Sequence, residues 1–194
     1  MAAYEFYLTH MTVRIIGKLN MVSVAEKLEL IAEPVAKALA AMADAESVGV
    51  AEIDPNLSDT AAFCAEYGVT PNQAANCVIL EAKQGEERWF AACIVLADTR
   101  ADVNGIIKKT LEVRRVSFAP MDKAVAESEM GYGAITPIGL PADWPILVDK
   151  AVADSAAVII GSGMRKSKIS VPGSFLASLP NARVIDGLAQ KKEV

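Results

Sequence analysis

Gly131–Pro141, GYGAITPIGLP, holds three glycines and two prolines in eleven residues and carries no charged side chain and no His, Cys or Ser. Glycine reaches positive φ and lets a ligand approach the backbone with no Cβ in the way. Proline stiffens such a loop and removes competing N–H donors. A segment of this kind can aim free amide N–H groups at an anionic centre, as an oxyanion hole does. It can equally be a connector between two apolar segments, and residue types alone leave both readings open. A second glycine loop, Gly161-Ser162-Gly163, follows the apolar run AAVII.

Working outward, MDKAVAESEM (121–130) reads as a short helix ended by Gly131, and WPILVDKAV (144–152) follows the loop. AAVIIGSG (156–163) and SKISVP (167–172) come next, then a short helix in GSFLASL and an edge strand in ARVIDG (182–187). On the N-terminal side, ANCVILEA (75–82) and RWFAACIVLA (88–97) are apolar runs separated by KQGEE, which signals a hairpin. RRVSFAP (114–120) is a strand, and TRADVNGIIKKTL (99–111) looks helical despite Gly105. A helix is expected from Ser58 or Asp59 through Tyr67, stopped by Gly68, after a strand in VGVAEID (48–54). SVAEKLELIAEPVAKALAAM spaces Val24, Leu28, Ile31, Val35 and Leu39 as an amphipathic helix, with Ser23 as its cap and Pro34 as a kink or break. Residues 1–22 show no strong period and read as a loosely held arm or an over-long start. Helices and strands interleave irregularly with hairpin-length connections, so the expected class is α+β, a mixed α/β sheet rather than a regular βαβ array.

The chain has 194 residues, a net charge of −5 and a mean hydropathy of +0.30. That length suits one sizeable domain. No apolar run is long enough for a membrane span, and the N-terminus lacks the pattern of a signal peptide, so a cytoplasmic protein with reduced thiols is expected. Cys64, Cys77 and Cys93 have no CxxC spacing. The only His, His10, is far from every glycine-rich segment and reads as an ordinary surface or half-buried residue. One His excludes multi-His metal sites, and it would have to serve any Ser-His-Asp or Cys-His enzyme. Chemistry must then run on backbone dipoles, hydroxyls, carboxylates, amides or the substrate itself, and no cofactor or metal is called for. The acidic balance argues against a protein that coats nucleic acid by bulk charge. Lys108-Lys109, Arg114-Arg115 and Arg165-Lys166-x-Lys168 are short basic clusters that read as solvated faces, though together they suffice for a few phosphates. Asp149 ends a strand, where polar groups gather at sites, but helix capping explains it equally well. Cys77 reads as a small core residue rather than a nucleophile. Tyr132 and Trp144 are candidates for a pocket wall or for the core.

These segments, taken in order over about residues 57–187, resemble the YbaK-like domain, the free-standing relative of the editing domain inserted in bacterial prolyl-tRNA synthetases. The most specific part is Gly133-Ala-Ile-Thr-Pro137, which matches that family's GxxxP motif. The resemblance implies a central, mostly antiparallel sheet flanked by helices, with a domain over 46–194 and an arm and helix over 1–45 packed on it. It implies hydrolysis, in trans, of the ester of wrongly charged tRNA, with the acceptor end as partner, an aminoacyl-tRNA synthetase as a further candidate partner, and no membrane. An aminoacyl ester is already activated, so positioning water and stabilising the oxyanion through backbone donors is enough. On this resemblance Gly133, Ala134, Ile135, Thr136 and Pro137 wall the amino-acid pocket, and the amides of Gly133, Gly161 and Ser162 are the expected donors. Gly163 and Asp149 complete the substrate-binding set, and Asn76 orients the ester or the terminal adenosine. Family members usually carry a Lys at the position of Asn76. Two alternatives follow from its loss: a binding module that holds an acceptor end or an amino-acid-like ligand without turnover, and a partner domain that docks on a synthetase through its N-terminal helix.

Overall fold

The structure, a computed structural model, describes residues 14–192. In chain order its elements are β1 (Arg14–Ile16), β2 (Leu19–Ser23), α1 (Glu33–Ala40), β3 (Gly49–Glu52), α2 (Thr60–Tyr67), β4 (Ala75–Gln84), β5 (Glu87–Leu96) and β6 (Thr99–Ala101). A π-turn over Val103–Ile107 then runs into α3 (Lys108–Thr110), followed by β7 (Arg115–Phe118), α4 (Met121–Ser128), β8 (Ile146–Asp149) and α5 (Lys150–Ala153). The chain closes with β9 (Val158–Gly161), β10 (Ser167–Val171), α6 (Gly173–Ala177), β11 (Ala182–Ile185) and β12 (Ala189–Lys191).

Two five-stranded sheets form the body, in the orders β1-β2-β3-β10-β9 and β11-β8-β5-β4-β7, with β12 and β6 as a separate pair. All pairings are antiparallel except β5–β8 and β8–β11. A parallel bridge between Ala74 and Ile159 joins the sheets where β9 approaches the start of β4. The expected mixed α+β class with a mostly antiparallel sheet is therefore what the chain forms.

The central strands β5 and β8 of the second sheet are buried on both faces. On β8, Ile146 and Val148 join the main core with Val50, Ile94, Ile160 and Ile169, while Leu147 faces a second cluster with Leu80, Cys93 and Ile107. Two-sided burial explains why RWFAACIVLA is continuously apolar rather than alternating. Trp144 joins the main core, its ring 5.0 Å from that of Phe90 at 70°. A third cluster, with Met21, Ile53, Phe63, Val69 and Ile159, lies under α2. Asp59 caps α2 through its carboxylate, and Gly68 ends it in the left-handed region, as the sequence predicts.

Three local expectations change. The helix read from Ser23 is two 3-10 turns followed by an extended step at Ile31, and α1 starts only at Glu33. Pro34 does not break this helix; it sits in its first turn, where a missing N–H costs nothing. The Ala32 N–H meanwhile donates to the Ser162 carbonyl (3.0 Å), which holds the preceding segment extended. The 99–111 segment is a strand, a π-turn and a single helical turn, because Asp102 accepts from the N–H groups of Gly105 and Ile106. Residues 14–22, read as lacking a period, form with Ser23 the hairpin of β1 and β2, and β2 bonds to β3. The rest of the N-terminal arm, with His10, lies outside the described residues.

Candidate active site

A cavity of about 420 Å³ opens along the seam between the sheets. One wall is backbone. The two glycine loops are stitched together: the Gly131 N–H donates to the Gly163 carbonyl and the Gly163 N–H to the Ala134 carbonyl, both at 2.8 Å. Gly161 lies so close to this wall that a Cβ there would sit 2.3 Å from the Ala134 oxygen, so only glycine fits. Gly133 has φ +70°, and its N–H has no acceptor among the described residues. Gly133, Ile135 and Gly161 line the cavity.

The rest of the lining is built from side chains. Asn76, on β4, is half-buried, and its Oδ1 accepts from the Thr60 hydroxyl at 2.7 Å. Its amide Nδ2 has no partner among the described residues and is free to donate. Beside it, Lys168 reaches in from β10, where its register partner on β9 is Gly161. The residue is only 7% exposed. Its Nζ donates to the Ser58 carbonyl at 3.0 Å and lies 5.2 Å from the centre of the Phe63 ring. Burial pushes the Lys168 ammonium below the ordinary lysine range, with Arg165 adding to the fall and the Cys64 and Asp59 groups opposing it. Ser58 lines the same part at 2% exposure, and its hydroxyl has no partner among the described residues.

Arg165 stands at the mouth. Its guanidinium donates to the carbonyls of Tyr132 (3.2 Å) and Pro55 (3.0 Å) and lies 5.9 Å from the Tyr132 ring centre. Phe118, Met121 and Tyr132, which are 69%, 48% and 58% exposed, also line the cavity and form an apolar rim. Lys168 and Arg165 are the cations in the lining and Asp59 its carboxylate, so the cavity is positive on an acidic protein.

The other residues singled out from sequence lie elsewhere. Ala134, Thr136 and Pro137 are buried behind the loop and are not part of the cavity lining. The Ser162 hydroxyl is spent on Ser167 Oγ (2.7 Å) and on the Met164 carbonyl (2.9 Å). Gly163 is spent on stitching the loops, as above. Asp149 caps α5 through the Ala151 N–H (2.8 Å) and accepts from the Ala189 N–H (2.9 Å), away from the cavity. Cys77 lines the cavity, but burial pushes its thiol up, so it stays protonated and is a poor nucleophile. Among the described residues no three His, Cys, Asp or Glu side chains converge as a metal would require.

Sequence reading missed Lys168 and Arg165, which it placed on a solvated basic face. A signal was available. In SKISV a lysine alternates with Ile169 and Val171 in a strand whose other face also packs, and such a position forces the ammonium inside.

The mixed α+β fold is shared with known structures. A scaffold protein from epitope backbone grafting by computational design aligns with a TM-score of 0.68 and 17% identity, over 80% of this chain and 95% of its own. The hypothetical protein APE2540 aligns with a TM-score of 0.70 and 18% identity, over 81% of this chain and 100% of its own. A candidate trans-editing enzyme for prolyl-tRNA synthetase aligns with a TM-score of 0.66 and 14% identity, over 80% of this chain and 97% of its own. At these identities the likeness is one of fold. The family is given by the sequence itself: residues 54–178 match the aminoacyl-tRNA editing domain, and the chain belongs to that family. No described helix is long and apolar enough to cross a membrane.

Proposed function

We propose that this protein is an aminoacyl-tRNA deacylase that acts in trans, hydrolysing the ester between a wrong amino acid and the tRNA acceptor end. The observation that carries the reading is the meeting of Gly133 and Gly161 as a backbone wall, with a Gly133 N–H that has no acceptor among the described residues, in one cavity with polar Asn76. Backbone donors held in place before the reaction stabilise the tetrahedral oxyanion without reorganising. The nucleophile is water, assisted by the ribose hydroxyl next to the ester. Asn76 Nδ2 orients the ester or the terminal adenosine, and Ile135 meets the amino-acid side chain. Size exclusion at that point supplies selectivity that a first binding step lacks, since one methylene is worth only about 1–3 kcal/mol. At the mouth, Tyr132, Phe118 and Met121 offer faces on which an unpaired base stacks, with Arg165 near its phosphate. A cytosolic location, where charged tRNA is found, fits this reading.

A panel of mischarged tRNAs at micromolar protein tests it, with Ile135→Trp as a cavity-filling control. The expected outcome is clearance of at least one ester faster than its spontaneous hydrolysis, and loss of that rate in Ile135→Trp. Clearance of none defeats the enzyme. Tight binding of the same tRNAs without turnover would instead favour a binding module, the reading that an uncharged Asn76 supports.

A further inference from the structure

We propose that Lys168 is the substrate-facing cation of the cavity and that it donates a hydrogen bond to the ester carbonyl oxygen as negative charge develops there. This rests on the deacylase reading above and assigns a catalytic residue within it.

Three observations converge on Lys168. Its ammonium is buried against the Phe63 ring and makes one hydrogen bond among the described residues, to the Ser58 carbonyl, while lining a cavity large enough for a ligand. An ammonium has three N–H donors, so two remain for whatever enters. Next to it, the Ser58 hydroxyl is buried without a partner among the described residues, a second polar group left unsatisfied in the same part of the lining. Finally, Lys168 and Asn76 are tied to the same turn at the start of α2, the one at Ser58 and the other at Thr60. The ammonium enters this cavity from β10, beside its register partner Gly161.

The placement also fits the charges of an aminoacyl ester. Its α-ammonium repels Lys168, while the carbonyl oxygen, which gains charge, attracts it. In the step, the water oxygen attacks the carbonyl carbon and the π pair moves onto the carbonyl oxygen, where the Lys168 N–H and the Gly133 amide receive it. Collapse re-forms the C=O bond and breaks the bond to the ribose oxygen. That oxygen takes a proton originating from the attacking water. The products are the free amino acid and tRNA with its terminal diol.

The protein that hydrolyses a given ester in the panel is compared with Lys168→Met and Lys168→Gln. Gln keeps a donor for the Ser58 carbonyl without the charge, so it stands in if Met disturbs folding. The expected result is a fall in kcat of about 100-fold or more with KM changed little, as for loss of an oxyanion donor. The thermal midpoint of Lys168→Met should equal or exceed that of wild type, because an unpaired buried charge is removed. A lysine with a merely structural role gives the opposite pattern, a lower midpoint with kcat per folded molecule retained. Either that pattern, or kcat within threefold of wild type in a folded variant, overturns the assignment while leaving the deacylase intact. A wild type that clears no ester overturns the deacylase itself, and Lys168 with it.

Discussion

One part of the cavity lining, Gly133, Ile135 and Gly161, comes from two glycine loops that set backbone directly against backbone. Another part of the lining, Ser58, Thr60, Asn76 and Lys168, comes from the start of α2 and two strands, and meets through side chains, with the Lys168 ammonium reaching the Ser58 carbonyl. The backbone wall belongs to the fold itself, because its hydrogen bonds stitch the two loops and hold the sheet seam. The side-chain wall is carried by the fold at a cost, since it buries an ammonium with one carbonyl for company. Damage to the first should therefore appear as lost stability, and damage to the second as lost rate.

The strongest test of this contrast is Gly161→Val. A Cβ 2.3 Å from the Ala134 oxygen cannot be relieved by turning a side chain, so the loops must part. We expect a loss of about 3 kcal/mol in urea unfolding, and equal stability to wild type would break the idea of a structural backbone wall. Ser162→Ala is next. Its hydroxyl serves Met164 and Ser167, and its removal should cost about 2 kcal/mol of stability while kcat per folded molecule is kept. Thr60→Val belongs to the other wall. It frees the Asn76 amide to turn, so kcat/KM should fall about fivefold, corresponding to a hydrogen bond of about 1 kcal/mol, with little change in melting. A melting change larger than the rate change would erase the distinction between the walls.

The smallest effect is a slope in pH. Folding lowers the Lys168 pKa chiefly through burial, so between the folded and unfolded values the unfolded chain holds a proton that the folded chain has released. Stability should rise with pH across that window, below the ordinary lysine range. Urea midpoints measured on the alkaline side of neutrality should show this rise in wild type and a flatter line in Lys168→Met.

The same contrast explains what could be read from the sequence. Glycine and proline declare backbone geometry wherever they stand, so GYGAITPIGLP and GSG marked the backbone wall directly. The ends of α2 were legible for the same reason, through Asp59 and Gly68. The side-chain wall was not. Ser58, Thr60 and Lys168 are ordinary residues far apart in the chain, and only the pairing of β10 with β9 brings the ammonium beside Gly161. Lys168 was further disguised by Arg165 and Lys166, which make a charge cluster of what is, in space, one buried and two half-buried residues. The helix expected from Ser23 failed because its apolar spacing is real but serves an irregular segment. Val24, Ile31, Val35 and Leu39 are buried while Leu28 is exposed, and the Ala32–Ser162 bond and Pro34 decide the backbone path.

That clasp between the N-terminal segment and the second glycine loop bears on where the molecule can be cut. The family match begins at residue 54, but β2 bonds to β3, the Ala32 N–H holds the Ser162 carbonyl, and the Ser167 hydroxyl donates to the Leu30 carbonyl. A chain started at the family boundary would lack β3 as well, leaving of that sheet only β10 and β9, with the edge of β10 bare. Exposed strand edges pair with whatever is available. Such a fragment should collect into oligomers and precipitate, taking the loop that presents Lys168 with it.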